Sequence, residues 1–163
     1  TMLFSQDRTT FCGKYYELDE APMEPKPLQS PLPLLIGGGG EKRTLRTVAR
    51  FATEWNSWGR PEEIRHKISV LERHCEEVGR DPAEIQKSAV GVLIFTETEE
   101  EAAELQENMG HRSGLVGTPA QLRQVVAEYA AVGVDELLVP DFAVSIEKRN
   151  DYLDRFRAEV VEY

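Results

Sequence analysis

Four consecutive glycines, Gly37 to Gly40, are followed at once by Glu41, Lys42, Arg43 and Thr44. Glycine is costly to order, so a run of four needs a reason. Backbone N–H groups with no Cβ in the way, placed between a strand and a helix, form an arrangement that receives anions. The amides point at the ligand and the helix dipole favours negative charge. Lys42 and Arg43 add positive charge and Thr44 a hydroxyl, so a phosphate is the guest this chemistry suits. The alternative is a tight strand-to-helix turn needing positive φ, for which one glycine often serves. Two standard phosphate signatures are absent. A G-x-G-x-x-G reading from Gly37 meets Lys42 at its last position, and a P-loop would need Lys where Glu41 follows Gly40.

Other residues carry weaker chemistry. His66 and His74 fall beside the apolar stripe of a helix over 61–79 and read as surface histidines. His111 and Arg112 lie in a loop, where Arg112 suits an anionic substrate or cofactor tail; a solvated loop is the rival reading. Trp55, Asn56 and Trp58 either line a pocket or pack under a loop. The run Glu97 to Glu107 reads as a solvated helix face. Asp141 follows the final strand without a visible partner. No Ser-His-Asp or Cys-His arrangement and no metal-ligand cluster stands out, so no residue is assigned to catalysis and none to a metal.

Composition narrows the function classes. The chain of 163 residues is 40% hydrophobic and 29% charged, an ordinary balance for one folded domain. Its net charge of −10 argues against tracking nucleic-acid phosphates. Cys12 and Cys75 make no C-x-x-C pair, which argues against a disulfide framework or zinc site and suits a reducing cytoplasm. No apolar run approaches the roughly 18 residues of a membrane span, and no signal peptide opens the chain.

The elements that must position the glycines follow from periodicity. The opening "TMLFSQDRTTF" reads like the tail of a helix already in progress, as in part of a longer protein. "TTFCGKYYEL" predicts a hairpin about Gly13-Lys14, and prolines at 22, 25, 27, 31 and 33 an extended connection. Leu34-Leu35-Ile36 reads as a short buried strand ending in the glycines. Leu45, Val48, Ala49 and Ala52 mark a helix from about 41 to 52. "EWNSW" is a strand. Pro61 opens a helix with Ile64, Ile68, Leu71, Cys75 and Val78 on one stripe, stopped by Gly79. "SAVGVLIF" (88–95) predicts one doubly covered strand, and Thr96 or Thr98 caps the acidic helix after it. A loop, "NMGHRSGLVG", leads to Thr118-Pro119 and a helix with Leu122, Val125, Val126 and Tyr129, closed by Gly133. "DELLVP" is the last strand; Ile146, Leu153, Phe156 and Val160 mark the last helix. Alternating strands and helices imply an α/β fold with a parallel sheet, either half of an eight-stranded barrel or a small open sheet.

"FCGKYYEL" and "PKPLQSPLPLLIGGGGEKRTLRTVARFATEWN" resemble the luciferase-like flavin- and deazaflavin-dependent oxidoreductases, particularly the coenzyme F420 branch. Phe11, Gly13 and Tyr16 match that family's F-x-G-x-x-Y hairpin, which precedes a strand ending in I-G-G-x-G-E-x-R-T-L. "GLVGTPAQLRQVVAEYAAVGVDELLV" is similar to its G-T/S-P helix and final strand.

The resemblance implies a luciferase-like (β/α)8 TIM barrel of about twice this length. The chain would be its C-terminal half, about strands five to eight, with an N-terminal β-hairpin. Residues 1–33 would hold the hairpin and Pro-rich connection and 34–163 the βα units. It implies F420, or alternatively FMN, held by its phosphate on Gly37, Gly38, Gly39 and Gly40, with Lys42, Arg43 and Thr44 as side-chain candidates. It also puts Arg112 on the side where barrel active sites form and where a small-molecule substrate binds. Most catalytic residues would lie in the other half, so this chain alone is expected to be inactive. Two rivals stand beside this reading. One is a non-catalytic phosphate- or nucleotide-binding half-barrel that self-associates. The other is a structural half-barrel, a homodimer or a partner of the other half, held by exposed inner faces of strands such as "SAVGVLIF".

Overall fold

The computed structural model describes residues 2–112, 114–140 and 144–162. The chain divides into two compact units, Thr1–Pro33 and Leu34–Tyr163.

The first unit carries α1 (Met2–Ser5), β1 (Thr9–Cys12) and β2 (Glu17–Ala21). β1 and β2 pair antiparallel, with Phe11 opposite Leu18 and an irregularity between Thr9 and Phe11. Gly13 sits where a Cβ would meet the Phe11 ring at 2.5 Å, and its N–H donates to the Tyr16 carbonyl at 2.9 Å. Phe11, Gly13 and Tyr16 therefore build the hairpin turn together. Residues 22–33 form neither helix nor strand, as the missing proline N–H groups dictate.

The second unit runs β3 (Leu35–Gly37), α2 (Thr44–Phe51), β4 (Glu54–Trp58), α3 (Pro61–Val78), β5 (Gln86–Val90) and β6 (Leu93–Phe95). It continues with α4 (Glu99–Met109), β7 (Leu115–Gly117), α5 (Pro119–Ala131), β8 (Glu136–Leu138) and α6 (Arg149–Phe156), closing in a π-helical turn, Arg157–Val161. β3-β4-β5-β8 form one parallel sheet, and β6-β7 a second parallel pair. This is an α/β, parallel-strand architecture.

The core lies between sheet and helices. Leu45, Val48, Ala49 and Ala52 from α2 and its end meet Trp55, Ile64, Leu71 and Cys75, all fully buried. Each large aliphatic among them contributes about 1.5–3 kcal/mol by leaving water. Helix ends are set locally. The Arg60 N–H donates to Glu63 Oε2 at 2.8 Å ahead of α3, and Gly79 ends that helix in the left-handed region at φ 69°. Thr98, rather than Thr96, caps α4. Thr118 and Gln121 reciprocate at the start of α5, where the Thr118 N–H donates to Gln121 Oε1 at 3.0 Å.

Four expectations change. The glycine run does not enter a helix directly: residues 41–43 form a turn and α2 begins at Thr44. β3 is an edge strand whose Leu35 is 54% exposed, not a buried one. Residues 88–95 are not one strand. The N–H of Gly91 donates to Leu138 O at 3.2 Å and that of Val92 to Arg112 O at 3.4 Å, so consecutive amides serve different neighbours. The supposed loop 108–117 holds a 3-10 turn, Gly110–Arg112, and β7. The two stripes are also shorter than expected, since Val78 and Ile146 are exposed.

Ser88 to Leu93 are buried within the chain itself, while Ile94 and Phe95 are half-buried. The exposed apolar side chains on the sheet are Leu35, Trp58 and Leu138.

Candidate functional site

Trp55 explains how the glycine turn is fixed. Its side chain is fully buried, and its Nε1–H donates to the Gly38 carbonyl at 2.9 Å. The Gly38 N–H donates to the Asn56 carbonyl at 2.8 Å. Both backbone groups of Gly38 are thus taken by β4, and its φ of +113° is a conformation glycine adopts without penalty. Gly37 belongs to β3, opposite Asn56. Gly38 therefore shapes the turn and is not a free donor.

The next two residues differ. The N–H groups of Gly39 and Gly40 have no acceptor among the described residues. A Cβ on Gly40 would stand 2.8 Å from Thr44 Oγ1, and one on Gly39 would stand 3.2 Å from Ser57 Oγ and 3.4 Å from Lys67 Cε. The Thr44 and Ser57 hydroxyls and the Lys67 stem thus lie beside backbone with no side chain of its own. The Gly40 carbonyl accepts from the Leu45 N–H at 3.0 Å, which ties the turn to α2.

From the outer side, α3 grips Glu41. Lys67 Nζ donates to Glu41 Oε1 at 2.5 Å, and His66 Nε2 lies 3.1 Å from the same oxygen. His74 Nε2 donates to the Glu41 carbonyl at 2.8 Å, while its Nδ1 faces Glu77 Oε2 at 3.3 Å. The Lys67 hydrogen bond, then that of His66, holds the Glu41 carboxyl below the usual carboxylate range. Both histidines therefore meet the loop that follows the glycines, and His74 is mostly buried rather than a surface residue. Glu41, Lys42, Val70, Arg73, His74 and Glu77 line a cleft of about 230 Å³. Lys42 is exposed at this cleft, and Arg43 is exposed ahead of α2 without a side-chain cap. The cation beside Gly39 is Lys67.

The carboxyl ends of the strands hold a second group. Arg112 lies in the turn after α4 rather than directly after a strand, with its guanidinium 5.9 Å from the centroid of the Trp58 ring at the end of β4. Asn56 Nδ2 donates to Ser88 Oγ at 2.8 Å, and that hydroxyl donates to the Trp55 carbonyl at 3.2 Å. Trp55 and Asn56 are thus structural partners of the turn and sheet. Tyr129 donates its hydroxyl to the Gly59 carbonyl at 2.7 Å, and burial pushes its ionisation well above the ordinary tyrosine value. Asp141 lies outside the described residues. Among the described residues, no helix is long and apolar enough to cross a membrane.

Residues 1–108 match the family model described as luciferase-like monooxygenase. The chain belongs to that family. Members of the luciferase-like family are monooxygenases or oxidoreductases. Over 83% of this chain and 48% of the other protein, it is 27% identical to the FMNH(2)-dependent dimethylsulfone monooxygenase of Pseudomonas fluorescens (strain Pf0-1). The chain spans about half the length of the curated relatives it matches. The coenzyme F420-dependent tetrahydromethanopterin reductase from Methanopyrus kandleri superposes with a TM-score of 0.71 at 15% identity, covering 98% of this chain and 59% of that one. Monooxygenase RslO1 from Streptomyces bottropensis gives 0.75 at 15% identity, covering 98% and 57%. The fold is that of the luciferase-like TIM barrels, and the chain covers part of the barrel.

Sequence reasoning found the glycines and Thr44 but missed Ser57, Lys67 and Glu41. Lys67 and His74 are seven residues apart, hence on one face of α3. Nothing in that spacing says which loop the face meets.

Proposed function

We propose that the chain is part of an F420- or FMN-dependent oxidoreductase whose glycine turn holds the cofactor phosphate. One observation carries this reading: the acceptor-free amides of Gly39 and Gly40, beside the Thr44 hydroxyl, at the carboxyl end of a parallel strand. The group fits that cradle, because a side chain on Gly40 would fill it. Gly37 and Gly38 set the turn, Gly39 and Gly40 donate to phosphate oxygens, and Thr44 adds a hydroxyl donor. Lys42 and Arg43 contribute positive charge from further out. When bound, the cofactor supplies hydride transfer in the F420 case or oxygen activation through reduced FMN. Arg112, held over Trp58, engages an anionic part of a small organic substrate. The sheet is completed by a second copy or by the first four strands of the barrel, in a reducing cytoplasm that suits free Cys12.

Binding of FMN, F420 and riboflavin, followed by fluorescence, tests the reading. FMN and riboflavin share the ring and differ in the phosphate. The expected result is FMN or F420 binding at least about tenfold tighter than riboflavin, as charge-assisted hydrogen bonds to phosphate require. Equal binding of FMN and riboflavin, with no F420 binding, removes the phosphate grip. Saturable binding without turnover in a completed barrel would favour the non-catalytic rival.

A further inference from the structure

The sequence points to Lys42 and Arg43 as phosphate partners, but the cationic side chain lying against the bare face of Gly39 is Lys67. Its stem crosses the Cβ-less face of Gly39, with Cε 3.4 Å from where a Cβ would stand, and its Nζ ends on Glu41 Oε1. An ammonium carries three donors and Glu41 uses one, so two remain for an anion seated on Gly39 and Gly40. The carboxylate that holds Lys67 is itself fixed at its main chain, where the Glu41 carbonyl accepts from His74 Nε2 at 2.8 Å. His66 Nε2 lies 3.1 Å from the same carboxylate oxygen as Lys67. The Lys67 side chain is only 27% exposed, so it is packed in this position rather than waving in solvent.

Resting on the phosphate-grip reading above, we propose that Lys67 is the counter-cation of the glycine turn and that Glu41 is its positioning residue. Lys67 touches the ligand phosphate; Glu41 acts through Lys67. A side chain longer than that of alanine at residue 39 would then compete with the lysine stem for this face, a reason for glycine separate from its amide. Glu41 also offsets the positive charge of Lys67, so the pair brings no net charge to the turn before a phosphate binds.

The test compares dissociation constants for FMN and riboflavin in the purified protein and its variants, the ratio isolating the phosphate. Lys67→Met is expected to lose roughly tenfold of FMN preference while riboflavin binding stays within about twofold. Lys67→Arg, which keeps charge and reach, is expected to restore most of the preference. Glu41→Gln keeps the side-chain shape but weakens the hold on the lysine, and is expected to lower the preference by a smaller factor than Lys67→Met. A Lys67→Met protein that keeps the wild-type ratio overturns the inference and leaves the phosphate grip standing. A wild-type ratio near one overturns the grip itself. If Glu41→Gln raises the preference instead, Glu41 is a charge penalty and not a positioning residue. Equal losses for FMN and riboflavin in Lys67→Met and Lys67→Arg alike would mark Lys67 as structural only.

Discussion

The glycine turn and the Trp58–Arg112 corner both sit at carboxyl ends of strands, yet they are built in opposite ways. Gly38 is held by two hydrogen bonds from β4, and Glu41 by three side chains of α3. The corner holds Arg112 by a cation–π contact of 5.9 Å to a partly exposed ring. A turn that must present bare amides to one fixed chemical group gains from rigidity, since ordering is done before binding. On the proposed function, in which Arg112 meets substrate, a side chain that faces variable ligands gains from slack. The two tryptophans of β4 divide this labour: Trp55 builds the turn and Trp58 carries the corner.

The contrast can be broken from its strongest side first. Trp55→Ala removes a fully buried indole and the donor to Gly38, and should destabilise the protein by about 3–5 kcal/mol in urea unfolding. Trp58→Ala, in the same assay, should cost much less. Gly38→Ala places a Cβ at φ +113° with no clash nearby, since the nearest atom would be Thr44 Cγ2 at 3.6 Å. Strain alone should then cost about 1–3 kcal/mol and weaken FMN binding together with stability.

Glu41 sharpens the comparison by pH. Its folded carboxyl is held below the ordinary glutamate value of about 4.5, so it contributes stability above that value and loses it as pH falls through the lower folded one. Glu41→Gln should therefore flatten the acid limb of a stability profile below about pH 4.5 and leave the neutral slope unchanged. Arg112→Ala should have the smallest effect on folding, within about 0.5–1 kcal/mol for an exposed cation–π pair. It should leave the FMN dissociation constant unchanged; a large loss of FMN binding would place Arg112 with the cofactor instead of the substrate.

What could be read from residues alone follows the range of the forces involved. Caps and stops are local: Thr118-Pro119, Gly79 and Gly133 each satisfy or end a helix within a few residues, and each lies where its type demands. The break at Gly91 is not local, because a continuous apolar run carries no period that shows where one neighbour is exchanged for another. β7, three residues long, is too short to show a strand pattern and exists because Leu93 to Phe95 offer it an edge. At the candidate site the glycines announced a turn, since few other residues take φ of +113°. Lys67 gave no such sign, as its role depends on α3 returning past the turn.

The exchange of neighbours at Gly91 makes the wall of the sheet fork. Below the fork, β5 lies against β8; above it, β6 lies against β7. Everything from β6 to α5 is consequently a branch inserted between β5 and β8, tied back to the main core by Leu115, Leu122 and the Tyr129 hydroxyl on the Gly59 carbonyl. The corner bearing Arg112 stands on the branch, and the glycine turn stands on the trunk. On the proposed function, the parts that meet substrate and cofactor are thus carried by different strand pairs.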